Sequence, residues 1–167
     1  MGHNINGFIA EALPLKNVSH QIDDAVVCEL PQGYGFLPLP FNTYPDIDEE
    51  KIFDCMDGLS RFLCDWACQQ SLQFTVVYIE TEYFAGPGRQ SAVAWHDGEI
   101  AFGPAYYTSE VDEISRRMEL KSEWLPHPIN HALRLLKVDR GRAYDEFDAI
   151  TLGLHRSNER WIKAASG

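Results

Sequence analysis

Apolar positions alternate loosely with polar ones through Asn4–Ala10, around Ile5, Phe8 and Ile9, which predicts a first strand that gives way to a loop at Pro14. Val18–Ala25 reads as a short helix or turn and Ala25–Leu30 as a strand, with Pro31-Gln32-Gly33 turning the chain into an extended stretch, Tyr34–Leu39. Pro38 and Pro40 lack the N–H that a sheet ladder needs, so that stretch belongs at a sheet edge or in irregular structure. The clearest periodicity runs from Asp48 to Gln70. Ile52, Met56, Leu59, Leu63 and Trp66 recur there every three or four residues, predicting an amphipathic helix capped by Asp46 or Asp48. Its polar side carries Glu50, Asp54, Asp57, Arg61 and Asp65, an acidic ridge on a helix whose other face is buried.

Leu72–Glu80 is rich in β-branched and aromatic residues and reads as a central strand. Strands over Ser91–Trp95 and Glu99–Phe102 flank Asp97-Gly98, a hairpin signal, and Gly103-Pro104 ends that hairpin. A charged helix fits Val111–Leu120. Pro128 opens a helix carrying Ile129, Ala132, Leu133 and Leu136, and a last helix starts near Ser157 and docks through Trp161 and Ile162. Strands and helices mix without a βαβ rhythm. The expected class is α+β, a mainly antiparallel sheet with helices packed on one face, in a single domain spanning 1–167.

Composition adds the compartment. With 167 residues, 45% of them hydrophobic, the chain has enough apolar surface for one core. Four cysteines without CxxC spacing read as buried thiols of a reducing environment, and Asn4, Asn6 and Glu11 interrupt any signal-peptide run, so the expected location is cytoplasmic. No stretch approaches the roughly 20 apolar residues of a membrane span. Charge changes the picture most: 25 acids oppose 14 bases, a net of −11. Residues 1–88 hold 13 acids and three bases, whereas 89–167 hold 12 and 11. Such a field repels nucleic-acid phosphates and anionic lipid and steers basic proteins inward, although acidity also serves solubility alone.

Candidate chemistry is sparse. Gly86-Pro87-Gly88-Arg89 lacks the order of a phosphate loop and leads into a strand. Glu80 and Glu82 share one side of a strand, where paired carboxylates serve acid–base chemistry or recognition. The six histidines form no HxH or HExxH pattern and the serines no GxSxG, so neither a metal, a cofactor nor a hydrolase centre is expected. An alternative catalytic grouping would join Asp148, His155 and Glu80; structural hydrogen bonds account for these residues more simply.

Two segments, Tyr78–Gln90 and Asp145–Arg156, a small part of the chain, resemble stretches of small bacterial proteins of the toxin-immunity type. That resemblance implies a cytosolic antidote that binds and neutralises a toxin, and it transfers no functional residue. The expectation is therefore a non-enzymatic binding or inhibitor protein with a basic toxin or effector domain as partner. Its recognition residues are expected among Glu50, Asp54, Asp57 and Asp65 on the ridge and among Glu80, Glu82, Tyr83, Phe84 and Arg89 around the following loop. The alternative is a small-molecule enzyme or ligand-binding domain using Glu80, Glu82 and the 83–90 loop. Oligomeric state stays open.

Overall fold

Several segments are apolar at every position rather than every second one: Phe8–Ala10, Val76–Ile79 and Ala92–Trp95 are each buried throughout. Strands of this kind must be covered on both faces. The computed structural model, which describes residues 2–40, 52–83, 88–108 and 123–167, meets that demand. Among the described residues are strands β1 (His3–Glu11), β2 (Cys28–Glu29), β3 (Tyr34–Pro38), β4 (Val76–Tyr83), β5 (Gly88–His96), β6 (Glu99–Thr108) and β7 (Glu123–Trp124). Helices are α1 (Ala12–Val18), α2 (Arg61–Gln70), α3 (Pro128–Leu135), α4 (Glu146–Ala149) and α5 (Asn158–Ser166). All seven strands join one sheet in the order β2-β3-β1-β4-β5-β6-β7, antiparallel except where β7 runs parallel to β6.

The α+β class and the mainly antiparallel sheet are as the sequence implies, but the helices flank both faces instead of one. On one side Phe8, Leu37, Val76, Tyr78, Val93 and Trp95 pack with Leu15 of α1 and with Leu63, Trp66 and Ala67 of α2. On the other, Ile5, Ile9, Phe36, Val77, Ile79, Ala92 and Ala94 pack with Ile129, Ala132 and Leu133 of α3 and Trp161 of α5. The two-sided burial follows from those continuous apolar runs. No helix among the described residues is long and apolar enough to cross a membrane.

The helix expected over Asp48–Gln70 is much shorter. It begins at Arg61, with Ser60 as N-cap, its hydroxyl accepting from Leu63 N at 3.2 Å. Residues 52–60 form turns, yet Phe53, Cys55, Met56 and Leu59 are buried there, so the helical spacing reported burial without a helix. Residues 41–51, including the proposed cap and Glu50, lie outside the described residues, as does the charged helix placed at Val111–Leu120. Pro14 does not end structure but sits in the first turn of α1, where an N–H has no intrahelical partner to lose. Likewise β6 continues through Gly103-Pro104 to Thr108. Gly103 takes φ +79°, and a Cβ there would stand 2.6 Å from the Ala92 carbonyl oxygen.

Candidate functional site

At one end of the sheet the start of β1, the end of β4 and the start of β5 lie in register, and their apolar residues give way to polar ones. Two cross-strand rows share the α2 side: Asn6–Glu80–Ser91 and Asn4–Glu82–Arg89. Because side chains alternate, His3, Thr81, Tyr83 and Gln90 belong to the opposite side. The turn at Asp57-Gly58 closes over the first set, enclosing a cleft of about 270 Å³.

Glu80 organises this cleft. Its Oε1 accepts from Asp57 N at 3.0 Å, and its Oε2 accepts from Gly58 N at 2.8 Å and from the Tyr78 hydroxyl at 2.5 Å. Asn6 Nδ2 donates to the Tyr78 hydroxyl at 3.4 Å, and Asn158 Nδ2 donates to Asn6 Oδ1 at 2.5 Å, extending the network to the first residue of α5. Burial of the Glu80 carboxyl lifts its pKa above the usual carboxylate range, against the pull of the three hydrogen bonds it accepts, and the Asp57 charge adds to the rise. Gly58 permits this packing: a Cβ would lie 2.2 Å from Asn6 Nδ2 and 2.8 Å from the Tyr78 hydroxyl.

Above Glu80 the rim is charged and exposed. Arg89 Nη2 donates to Asp57 Oδ2 at 3.0 Å, and Arg89 Nε stands 3.5 Å from Glu82 Oε2. Two carboxylates therefore flank one guanidinium at the rim, and a third, Glu80, lines the cleft with them. On the cleft wall Ser91 is 2% exposed. Of the seven buried polar or charged side chains described, it alone makes no hydrogen bond among the described residues.

Behind the same strands lies a second cleft of about 240 Å³. His3 Nδ1 and the Thr81 hydroxyl are 2.8 Å apart, and Gln90 Nε2 donates to the Tyr83 hydroxyl at 2.8 Å. Asn130 Nδ2 donates to Asp145 Oδ2 at 3.2 Å, while His127 stacks on Tyr107 with a left-handed backbone, φ 54°. Burial holds the His3 imidazole below its ordinary pKa. Among the described residues no three His, Cys, Asp or Glu side chains are grouped to hold a metal.

The residues singled out from sequence thus divide. Asp57, Glu80, Glu82 and Arg89 meet in the first cleft, and Tyr83 points into the second. Asp54 is exposed in a turn and Asp65 is exposed on α2, so the single helical ridge does not form; it depended on a helix that starts only at Arg61. Glu50 and Phe84 lie outside the described residues. His155 packs edge-on against Trp161, part of the core opposite Glu80, so no grouping with that carboxylate exists. Asn4, Asn6, Gly58, Ser91 and Asn158 were missed. The alternation that pairs Glu80 with Glu82 would have found Asn4, Asn6 and Ser91 once the strand register was known. No family model matches the chain, and no curated protein or solved structure matches it either.

Proposed function

We propose that the protein is a binding protein, an inhibitor of the toxin-immunity type that engages a basic effector domain in the cytoplasm through the acidic cleft formed by β1, β4, β5 and the 57–58 turn. One observation carries the reading: Asp57 and Glu82 flank Arg89 at an open end of the sheet and Glu80 lines the same cleft, so that three carboxylates face one cation among the described lining residues. The net charge of −11 extends the same field outward, and such a field speeds encounter with a cationic surface. Glu80 has its oxygens engaged by the 57–58 backbone and Tyr78, which suits a rigid receptor wall better than a proton-transfer group. Neutralising a toxin by covering it requires complementarity, not catalysis or a cofactor.

Co-expression with the product of the adjacent gene, followed by purification of the complex at two salt concentrations, tests this. A stoichiometric complex that weakens with salt supports the proposal; two proteins that elute separately at low salt refute it for that partner. A second reading, a ligand-binding domain, draws on the second cleft, where Tyr83, His127 and Asp145 face one space. Fragment soaking followed by crystallography would separate the two, since density in the second cleft alone favours a small ligand.

A further inference from the structure

The buried Ser91 hydroxyl stands out. A buried hydroxyl without a partner costs free energy, and native proteins seldom leave one. The other six buried polar or charged side chains described here are bonded, and the exception lies on the wall of the acidic cleft. Directly across the strand pair stands Glu80, whose carboxylate is turned toward the 57–58 backbone and not toward Ser91. Ser91 therefore offers an acceptor that nothing in the described chain uses.

Charge states what should approach it. Arg89 spans Asp57 and Glu82 at the exposed rim, and the excess of negative charge falls on the space below and beside it. A neutral guest leaves that excess unchanged and an anion increases it. A cation with several N–H donors in one plane reaches a hydroxyl on the wall and a carboxylate on the rim together, which a guanidinium does and a compact ammonium does less well. The cleft, about 270 Å³, admits such a group on a flexible stem.

We propose that this cleft is the receptor for one arginine side chain of the basic partner, with the Ser91 hydroxyl accepting from the guanidinium inside the cleft and Glu82 accepting at its rim. The assignment rests on the reading of a basic protein partner, and it places a specific anchor where that reading places only a charged surface.

The full-length protein is titrated with ethylguanidinium and, separately, with its neutral isostere ethylurea, following backbone amide resonances by NMR. Ethylguanidinium should give saturable shifts centred on Ser91, Gly58 and Glu82 with an affinity of about millimolar, the order expected for so small a ligand, and ethylurea should give none. Ser91→Ala should weaken ethylguanidinium roughly three- to tenfold, the worth of one hydrogen bond, while its melting temperature stays the same or rises, because the hydroxyl has no partner to lose and its burial carries a cost. Glu82→Gln, at an exposed position, should weaken the probe and flatten its salt dependence. Scattered, non-saturating shifts, equal binding of ethylurea, or unchanged affinity in Ser91→Ala would overturn the proposal. Butylammonium binding more tightly than ethylguanidinium would overturn the arginine assignment. Two further probes separate the sources of a guanidinium: acetyl-Gly-Arg-Gly-amide should bind at least as well as agmatine, and exclusion of the peptide would assign the cleft to a free amine instead. Since these probes need no partner, a failed titration leaves the co-expression result standing, and a failed co-expression leaves the cleft's affinity for guanidinium intact.

Discussion

Replacing Glu80 with alanine removes the acceptor for the Asp57 and Gly58 amides and for the Tyr78 hydroxyl at one stroke. A hydrogen bond to a charged group contributes about 1.5–3 kcal/mol, but Asp57 is exposed and water replaces its partner, so that bond counts for little. Gly58 and Tyr78 are buried and keep their losses. Relief from burying the carboxylate offsets part of the sum, and the net cost comes to about 2–4 kcal/mol. Glu80→Gln keeps the shape but turns an NH₂ group toward one of the three donors, for about 1–2 kcal/mol. Urea denaturation measures both, and amide exchange at residues 57 and 58 should accelerate in each variant. The pH dependence discriminates further. Burial raises the folded-state pKa of Glu80, so the folded chain takes up a proton before the unfolded chain does. Its ionised form therefore costs stability above the folded-state value, and that cost vanishes as pH falls through that value to the unfolded one, about 4.3. The stability advantage of wild type over Glu80→Gln should widen on acidification from pH 7 toward 4.5. A narrowing gap would mean that the hydrogen bonds to the carboxylate outweigh burial, and a loss below about half a kcal/mol in Glu80→Ala would refute its role as organiser of the 57–58 turn.

Other expectations are simpler. Leu59→Ala and Leu63→Ala each empty a site that is 1% exposed and should cost about 2–5 kcal/mol in denaturant melts, although only Leu63 is helical. Gly58→Ala should destabilise by about 1–3 kcal/mol by forcing Asn6 and Tyr78 away from the turn, visible as a lowered urea midpoint. Arg89→Ala, at a solvent-exposed ion pair, should change stability by less than about 1 kcal/mol. Purified protein should carry no stoichiometric zinc by elemental analysis, and chelator should leave its melting temperature unchanged.

The strands were largely legible because β-branched runs and the Asp97-Gly98 turn act locally. The 48–70 helix was not, since periodic burial arises equally from a helix and from turns laid along a core groove. What decides between them is the Ser60 cap together with the capture of the 57 and 58 amides by Glu80, more than twenty residues later. That Glu80 and Glu82 share a face followed from alternation alone, and the same rule sends Tyr83 to the other cleft. The place of Arg89 opposite Glu82 needed the β4–β5 register, which is a tertiary fact. No GxSxG setting or other local pattern marks Ser91; its distinction, burial without a partner, is tertiary.

The central claim, recognition of a basic partner through the acidic cleft, is tested most directly by association kinetics with that partner for two charge-reversed proteins. One carries Asp57→Lys and Glu82→Lys at the cleft rim, and the other carries Asp54→Lys and Asp65→Lys, outside it, with circular dichroism confirming the fold of both. Exposed charges act over about 8 Å at physiological ionic strength, so position matters as well as net charge. The account predicts that the rim variant associates far more slowly than wild type, with a deficit that shrinks as salt rises, while the second variant loses only the modest rate that its altered net charge dictates. Equal slowing in both variants, or none in the rim variant, would contradict it.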